Sequence, residues 1–412
     1  MFIKGEIMDK RSNIVNKLIY PFWVDSIMLY ENGISTFEDI DKVCKFGFGH
    51  SKGPFQMMDE IGLDAVCQGL RSFYDSTGDK RFKVPDTLRR MVKEGILGKK
   101  AGKGFYSYVP KSPVCPKTET LQKELSFINV KRVGVIGFGT MGRGIVQVIA
   151  EHGFEVIVKE VKQDLITKGI SFIEKMLDRG VEKGNITVKN KKNIISKVRG
   201  TTKLEDLKES DIIIEAAFEK MDLKKDIFTE IDMIVKPEAI LVTNTSCLSV
   251  SEIAAATKRP DRFCGLHFFN PVPLMKLVEV IRATKTSEEV FKKAFDFGII
   301  LGKEPVKCND SPGFIANRLL CPYLYHAIEE YDKGLATKED IDNLIKLETG
   351  FPMGPLELID LIGLDVCLDI GEAMFRKIAD PDLNPPSLLR EMVKKKYLGK
   401  KLCKGFYDYL PI

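Results

Sequence analysis

A segment of this 412-residue chain recurs later in the same chain. The phrase "ISTFEDIDK" returns as "LATKEDIDN", and "GPFQMMDEIGLD" returns as "GPLELIDLIGLD", each displaced by 301 residues, as Gly334 is from Gly33. Residues identical at this offset include Asn16, Pro21, Gly33, Pro54, Asp59, Gly104 and Tyr106 in the first copy and Asn317, Pro322, Gly334, Pro355, Asp360, Gly405 and Tyr407 in the second. An offset that never slips over about a hundred residues indicates a duplicated domain.

Each copy is predicted to be helical. Apolar residues recur at helical spacing in "NKLIYPFWVDSIMLYENG" and "NRLLCPYLYHAIEEYDKG", and each stretch ends on a glycine suited to a helix C-cap. Thr36 and Thr337 are expected to N-cap the helices that follow. An apolar stripe of this kind usually packs in a protein core, so the repeat is expected to have a structural role.

The central segment has a different pattern. Short apolar runs such as "RVGVIG", "EVIVKE", "DIIIEAA", "AILVTN", "RFCGLHF", "KLVEVI" and "EPVKC" alternate with amphipathic stretches. This alternation predicts a mostly parallel sheet covered by helices. The predicted organisation is a helical copy at 1–110, a proline-rich linker at 111–129, an α/β domain at 130–308 and a second helical copy at 309–412.

Composition narrows the function classes. The net charge of +5 arises from 63 basic and 58 acidic residues spread along the chain, which argues against nucleic-acid binding. The nine cysteines form no CxxC pair and lie near no histidine cluster, so the sequence predicts neither a metal site nor a disulfide scaffold. No apolar run approaches the length of a membrane span, and we expect a soluble, cytoplasmic chain with reduced thiols.

The stretch "VGVIGFGTMGRG" is typical of a dinucleotide site. It places Gly137, Gly139 and Gly142 in GxGxxG order after an apolar strand, with a helix expected to begin near Met141. The glycines let the backbone approach a pyrophosphate, and the helix N-terminus presents unpaired N–H groups to it. Three glycines alone would also fit an ordinary tight turn. The strand before, the helix after and the second strand "EVIVK" favour dinucleotide binding.

Glu160 follows the second strand, 23 residues after Gly137. A carboxylate at this position is expected to accept hydrogen bonds from the adenosine ribose and to repel a 2′-phosphate, which favours NAD over NADP. The neighbouring Lys159 and Lys162 weaken that preference. The alternative is a solvated residue at a strand end.

The stretch "GLHFFNPVPLMKLVEV" contains His267, one of only four histidines, and places Glu279 inside an apolar strand. Pro271 and Pro273 stiffen the turn that carries Asn270. A buried carboxylate needs a partner, and the imidazole that ends the preceding strand is the natural one. The carboxylate would orient the ring and favour the protonated imidazolium, which suits proton removal from a hydroxyl. The alternative is a core histidine satisfied by the backbone and a glutamate that faces water.

Residues 131–412 resemble a short-unit L-3-hydroxyacyl-CoA dehydrogenase. The most specific matches are "NTSCLS", "HFFNPVPLMKLVEV", "DSPGFIANR" and "MGPLELIDLIGLD". The resemblance implies an α/β fold class: a Rossmann-type doubly wound sheet, here flanked by two homologous all-α domains of the 6-phosphogluconate dehydrogenase C-terminal type.

The resemblance also implies roles for individual residues. His267 would be the general base, Glu279 its orienting acid, and Ser246 and Asn317 the groups that bind the reacting oxygen, with Asn270 in support. The residues implied for the nucleotide site are Gly137, Gly139, Thr140, Met141, Gly142, Glu160, Glu219, Lys224 and Asn244. The alternative for Ser246 is a turn-forming hydroxyl, and the alternative for Asn317 is a helix N-terminal residue.

A lysine-rich region after Glu160 resembles the helical pair that holds the CoA moiety in this family. Lys168, Lys175 and Lys183 belong to it, and Lys183 is the candidate for a CoA phosphate. Charge runs of this kind are more often solvated helix faces, and that alternative remains open.

The chain departs from the family pattern in several places. The family usually has aspartate in place of Glu160 and a small residue in place of Phe138. The larger departure is the first helical copy, where "DKRSNIVNK" replaces "DSPGFIANR" and "HSKGP" replaces "FPMGP". Asn16 keeps the position of Asn317 without its surroundings, so we expect this copy to be non-catalytic.

The resemblance implies an NAD-dependent enzyme that oxidises a 3-hydroxyacyl-CoA to the 3-oxoacyl-CoA, in fatty-acid β-oxidation or four-carbon acyl-CoA metabolism. The expected partner is an acyl-CoA substrate, with no nucleic acid and no membrane, and the two helical copies are expected to pair within a monomer. One rival is a hydroxy-acid dehydrogenase of the crystallin-like branch that does not use CoA. The other is a non-enzymatic NAD-binding protein.

Overall fold

The structure is a computed structural model that describes residues 10–108 and 130–410. The described residues form two compact units, one built from both helical copies and the other from the central α/β segment. The linker predicted at 111–129 lies outside the described residues. Within them, no helix has the length and apolar character needed to cross a membrane.

The α/β unit is a single eight-stranded sheet with helices between its strands. Its strands are β1 Arg132–Ile136, β2 Glu155–Lys159, β3 Val198–Thr201, β4 Ile212–Glu215, β5 Ile240–Thr243, β6 Phe263–Phe268, β7 Leu277–Arg282 and β8 Glu304–Asn309. Its helices are α6 Thr140–Glu151, α7 Gln163–Glu182, α8 Val188–Ser196, α9 Met221–Asp232, α10 Val250–Ala254 and α11 Glu288–Ile300. The strand order is β3-β2-β1-β4-β5-β6-β7-β8, and every neighbouring pair is parallel except β6 with β7. The predicted Rossmann-type doubly wound sheet is therefore confirmed.

The strand order creates a crevice beside β1. This strand pairs in parallel with β2 on one side and with β4 on the other. Strands β2 and β3 therefore extend the sheet in one direction from β1, and β4 to β8 extend it in the other. Ligands of open α/β sheets bind outside the carboxyl ends of the strands at such a switch point. The glycine-rich stretch follows β1 directly, and α6 begins at Thr140, one residue before the predicted start.

The helical unit contains the two copies in the same order of elements. The first copy comprises α1 Lys10–Glu31, α2 Phe37–Gly47, α3 Pro54–Ile61, α4 Leu63–Thr77 and α5 Asp86–Lys93. The second comprises α12 Ala316–Asp332, α13 Lys338–Thr349, α14 Pro355–Ile362, α15 Leu364–Ile378 and α16 Ser387–Lys394. The predicted N-caps are confirmed, because Thr36 accepts a hydrogen bond from Asp39 N and Thr337 accepts one from Asp340 N.

A buried carboxylate holds the middle of each copy together. Asp41 accepts hydrogen bonds from Phe55 N at 2.9 Å, from Gln56 N at 3.1 Å and from the Tyr106 hydroxyl at 2.9 Å. Asp342, the residue 301 positions later, accepts the equivalent bonds from the start of α14 and from a tyrosine hydroxyl. The carboxylate thus caps a helix N-terminus and ties it to the end of the domain.

A second carboxylate explains the glycine and tyrosine shared near the end of each copy. Asp59 accepts bonds from Phe105 N and Tyr106 N, both at 2.9 Å. A Cβ atom at Gly104 would lie 1.9 Å from Asp59 Oδ1, so only glycine lets the backbone come this close. Asp360 repeats the arrangement in the second copy. These shared aspartates, glycines and tyrosines therefore serve packing and backbone hydrogen bonding.

The two copies contact one another through equivalent residues. The Phe22 ring lies 5.6 Å from the ring of Tyr323, its counterpart at the 301-residue offset. His50 stacks on Phe351, also its counterpart, with ring centroids 3.4 Å apart and an interplanar angle of 10°. Contacts between equivalent positions are what a two-fold axis produces.

Asp25 of α1 lies where charges from both copies meet. The pKa of Asp25 is raised to about 8: burial is the largest cause, Asp382 and Asp380 act in the same direction, and Arg318 and Arg81 oppose them. Asp25, Arg318, Asp380 and Asp382 line one cavity of about 130 Å³ in this unit. A carboxylate in these surroundings resists ionisation, so its protonation is linked to folding.

Replacing Asp25 should therefore change the pH dependence of stability. Between about pH 4 and 8 the unfolded chain loses the Asp25 proton while the folded chain retains it, so this residue makes the free energy of unfolding fall as the pH rises. The Asp25→Asn variant lacks this contribution. Its thermal midpoint, measured relative to that of wild type, should therefore rise from pH 5 to pH 8. Thermal scans across this range test the prediction, with the exposed Asp75→Asn as control. A difference between variant and wild type that is constant with pH would contradict it.

Candidate active site

His267 and Glu279 face each other across the only antiparallel strand pair of the sheet. Their positions are direct partners in the β6–β7 register, so both side chains lie on the same face. His267 Nδ1 lies 2.7 Å from Glu279 Oε2. The exposed fraction is 5% for His267 and 0% for Glu279. The carboxylate contacts Nδ1 and so fixes the orientation of the ring.

Ser246 lies on the loop that follows β5, and Glu219 holds that loop. Glu219 Oε1 accepts hydrogen bonds from the Thr245 hydroxyl at 2.5 Å, from Ser246 N at 2.8 Å and from Cys247 N at 3.1 Å. Burial raises the pKa of Glu219, but the charge of Lys224 and these hydrogen bonds outweigh it and hold that pKa below its ordinary value. The sequence placed Glu219 in the nucleotide site and did not reveal this contact.

Lys224 is buried between two carboxylates. Its ammonium lies 2.7 Å from Glu215 Oε1 and 3.4 Å from Glu219 Oε2. Glu215 is fully buried at the end of β4 and also accepts hydrogen bonds from Ala217 N and the Thr243 hydroxyl, both at 2.7 Å. Sequence reasoning missed Glu215, although an acid that ends the four-residue strand "IIIE" was a usable signal.

Asn244 links the ends of β5 and β6. Its Oδ1 accepts a hydrogen bond from Phe268 N at 2.9 Å, directly after His267, and the side chain is buried. Asn244 therefore supports the strand that carries the histidine. Asn270 is exposed on the turn after β6.

The remaining predicted site residues belong to two different parts of the chain. Lys183 is exposed and follows the last residue of α7, where Lys168 and Lys175 are exposed too. Asn317 belongs to the helical unit, where it is buried as the second residue of α12. It lies at the N-terminus of that helix, the position named in the alternative raised from the sequence.

At two of the three glycines of the glycine loop a side chain would clash with the protein backbone, and at the third it would not. A Cβ atom would lie 2.7 Å from Ala216 O at Gly137, and 2.0 Å from Gly137 O at Gly142. At Gly139 such an atom would meet nothing within 4 Å. The open space at Gly139, beside the N-terminus of α6 that begins with Thr140 and Met141, is the cradle that a pyrophosphate would fill. The residues present therefore fit NAD.

Glu160 turns toward the glycine loop. Its Oε2 accepts a hydrogen bond from Phe138 N at 2.8 Å and its Oε1 accepts one from Val161 N at 2.7 Å. Phe138, unusual in this loop, is buried against Gly169 of α7, where a Cβ atom would lie 2.2 Å from the ring. The absence of a side chain at Gly169 thus accommodates the larger residue.

The described residues contain no group of three or more histidine, cysteine, aspartate or glutamate side chains placed to hold a metal ion. The eight cysteines in the described ranges are all free thiols, and seven of them are buried.

Comparison with known proteins matches nearly every described residue of this chain. Residues 132–311 match the family description "3-hydroxyacyl-CoA dehydrogenase, NAD binding domain", and residues 13–108 and 313–409 each match "3-hydroxyacyl-CoA dehydrogenase, C-terminal domain". The 3-hydroxybutyryl-CoA dehydrogenase of Clostridioides difficile is 47% identical over 278 residues, which cover 68% of this chain and 99% of that protein. The human mitochondrial hydroxyacyl-coenzyme A dehydrogenase is 42% identical over 298 residues, covering 68% of this chain and 92% of that protein.

A solved structure is similar over the same part of the chain. The crystal structure of (S)-3-hydroxybutyryl-CoA dehydrogenase PaaH1 from Ralstonia eutropha matches with a TM-score of 0.67 and 42% sequence identity. It covers 69% of this chain and 100% of that chain. The second match to the C-terminal domain, at residues 13–108, bears out the internal repeat.

The buried cluster around Lys224 should be essential for stability. Lys224→Met would leave Glu215 fully buried without its cation, which typically costs about 3–5 kcal/mol. The neighbouring Lys225 forms a partly exposed ion pair with Glu252, so Lys225→Met should cost less than about 1 kcal/mol. Urea unfolding of both variants tests the comparison. Equal losses would show that the Lys224 charge does not stabilise the loop cluster.

Proposed function

This chain belongs to the 3-hydroxyacyl-CoA dehydrogenase family, and from that membership we propose that it oxidises (S)-3-hydroxyacyl-CoA to 3-oxoacyl-CoA by transfer of a hydride to NAD. The observation that carries the proposal is the buried His267–Glu279 pair at the carboxyl edge of an NAD-binding sheet.

In the proposed mechanism, His267 takes the proton of the substrate 3-hydroxyl through Nε2 as the O–H bond breaks. Bound NAD supplies the acceptor for the hydride that leaves C3. Glu279 holds the ring through Nδ1 and stabilises the imidazolium that forms. Ser246 and Asn317 hydrogen-bond the reacting oxygen, and Glu219 keeps the Ser246 backbone in place.

The cofactor is assigned to the glycine loop and Glu160. The open space at Gly139 accommodates the pyrophosphate, and the N-terminal N–H groups of α6 face it. The Glu160 carboxylate lies on the loop, where it would accept the ribose hydroxyls and repel a 2′-phosphate. Lys224 and Asn244 act in this proposal through the loops they support.

The substrate class is assigned to acyl-CoA thioesters. The exposed lysines of α7 and the adjoining Lys183 supply positive charge for CoA phosphates, which a free hydroxy acid would not need. We place the reaction in fatty-acid β-oxidation or four-carbon acyl-CoA metabolism. We assign it to the cytoplasm, an assignment supported by the free, mostly buried thiols.

Steady-state kinetics test the reaction. We expect turnover of (S)-3-hydroxybutyryl-CoA with NAD, with much lower kcat/KM for free 3-hydroxybutyrate and for NADP. His267→Ala should lower kcat by on the order of a hundredfold or more, since a general base is lost, while NADH affinity stays near wild type. The exposed His152→Ala serves as the control. Near-normal turnover by His267→Ala would remove the pair from the mechanism, and preference for the free acid would support the CoA-independent rival.

We also propose that the first helical copy replaces a second subunit. The contacts Phe22–Tyr323 and His50–Phe351 join equivalent residues of the two copies, and Lys17 forms an ion pair with the buried Glu330 at 2.9 Å. A tethered copy has an effective concentration in the millimolar range, so internal pairing would outcompete association between chains.

The oligomeric state tests this pairing. Light scattering of the full chain should give the monomer mass, 46.4 kDa, at micromolar concentration. A variant that lacks residues 1–110 exposes the apolar face of α12 and should dimerise or aggregate. The C. difficile relative, 99% of which matches the last two thirds of this chain, provides a natural comparison without the extra copy. A truncated protein that stays a fully active monomer would contradict the proposal.

A further inference from the structure

Lys303 is a buried lysine whose charge is directed at backbone carbonyls. Its Nζ donates hydrogen bonds to Val272 O at 2.5 Å and to Met275 O at 2.8 Å, and the residue is 8% exposed. Among the described residues, no carboxylate lies within ion-pair distance of this ammonium. Both acceptors belong to the turn that follows β6 and carries Asn270.

The end of α11 places Lys303 beneath this turn. Gly302 adopts φ +65°, and its N–H donates to Ile299 O at 2.9 Å. Lys303 N then donates to Gly298 O at 3.1 Å, which reverses the chain and starts β8 one residue later. A left-handed glycine is the usual way to end a helix with such a reversal. Backbone hydrogen bonds therefore fix the position of Lys303 independently of its side-chain contacts.

The turn itself is compact and packs against the nucleotide helix. Leu274 N and Met275 N both donate to Pro271 O at 3.0 Å. Val272 is 2% exposed and lies against α6, where a Cβ atom at Gly144 would be 2.8 Å from Val272 Cβ. The turn thus contacts both α6 and the Lys303 ammonium.

We propose that Lys303 is a positioning residue for the dehydrogenase reaction: it fixes the turn at 271–275 and so keeps Asn270 and the end of β6 in register with the nucleotide helix. The proposal rests on the function proposed above, in which His267 and Asn270 serve the reaction. A single ammonium satisfies the carbonyl oxygens of Val272 and Met275, which an apolar side chain of equal length cannot do.

Burial of the Lys303 ammonium makes its two hydrogen bonds to carbonyl oxygens important. Burial lowers the pKa of Lys303 below its ordinary value, and only Glu151 acts in the opposite direction. The carbonyl oxygens of Val272 and Met275 therefore take the place of water as hydrogen-bond acceptors for the buried ammonium.

Three variants test the clamp. Lys303→Met removes the donors at nearly constant length, and Lys303→Arg keeps a cation. Lys307→Met removes an exposed lysine from the adjoining strand β8 and serves as the control. In Lys303→Met, kcat/KM for the acyl-CoA should fall on the order of tenfold or more, as expected for a displaced reactive geometry. The dissociation constant for NADH, measured by fluorescence without turnover, should stay within about twofold of wild type, since the glycine loop is untouched.

Hydrogen exchange provides the direct readout. The amides of Leu274 and Met275 should exchange faster in Lys303→Met than in wild type or Lys307→Met, and Lys303→Arg should restore part of both protection and turnover. If Lys303→Met melts earlier but keeps the kcat and KM of wild type, the lysine is merely structural and the proposal fails. If Lys303→Met does not fold, the same comparison is made with Lys303→Gln, which keeps a donor.

The failure of this proposal is distinguishable from failure of the proposed function. A wild-type protein without dehydrogenase activity would overturn the proposed function, and the positioning role would fall with it. An active wild type whose Lys303→Met variant shows unchanged exchange and unchanged kcat/KM would overturn the positioning role alone.

Discussion

The antiparallel pairing of β6 with β7 is the contact on which the candidate site depends. It sets His267 opposite Glu279 on one face of the sheet, with 2.7 Å between Nδ1 and Oε2. A slip of one residue would turn Glu279 to the other face and leave a fully buried carboxylate without its imidazole. The cost of an unpaired buried charge therefore favours this register, and the register brings the imidazole and the carboxylate into contact.

The parallel strands add a second constraint, because their carboxyl ends all meet at one edge of the sheet. Glu215 ends β4 and accepts a hydrogen bond from Thr243, which ends β5. Asn244, the next residue, accepts a hydrogen bond from the backbone beside His267. The polar groups at this edge are thus tied to their neighbours strand by strand, which is how several buried charges are accommodated without isolated polar atoms.

The sequence predicted those features that depend on local pattern. The glycine loop, the strand that ends near His267 and the N-caps at Thr36 and Thr337 are short-range signals, and the structure contains each of them. The contact between Glu219 and the Ser246 loop was not predictable in this way. It spans 27 residues and exists because β4 and β5 are neighbours in the sheet.

The same limit applies to Phe138, whose fit depends on a residue far along the chain. Nothing near the glycine loop signals that a phenylalanine is tolerated there, because the space is provided by Gly169 on α7. Resemblance to a family supplied the roles of Glu219 and Asn244, but only the fold shows what they touch. Side-chain partners across loops follow from sheet order, which local periodicity does not encode.

The residues retained in both copies of the duplicated domain include ones with a clear structural role. The pairs retained at the 301-residue offset include Asp59 with Asp360 and Gly104 with Gly405, which hold backbone in both copies. Asn16 is retained and buried as well, although the sequence around it has lost the pattern that surrounds Asn317. Each helical copy must satisfy these carboxylates and present a surface that fits its counterpart. Packing alone is therefore sufficient to preserve the residues that first drew attention to the repeat.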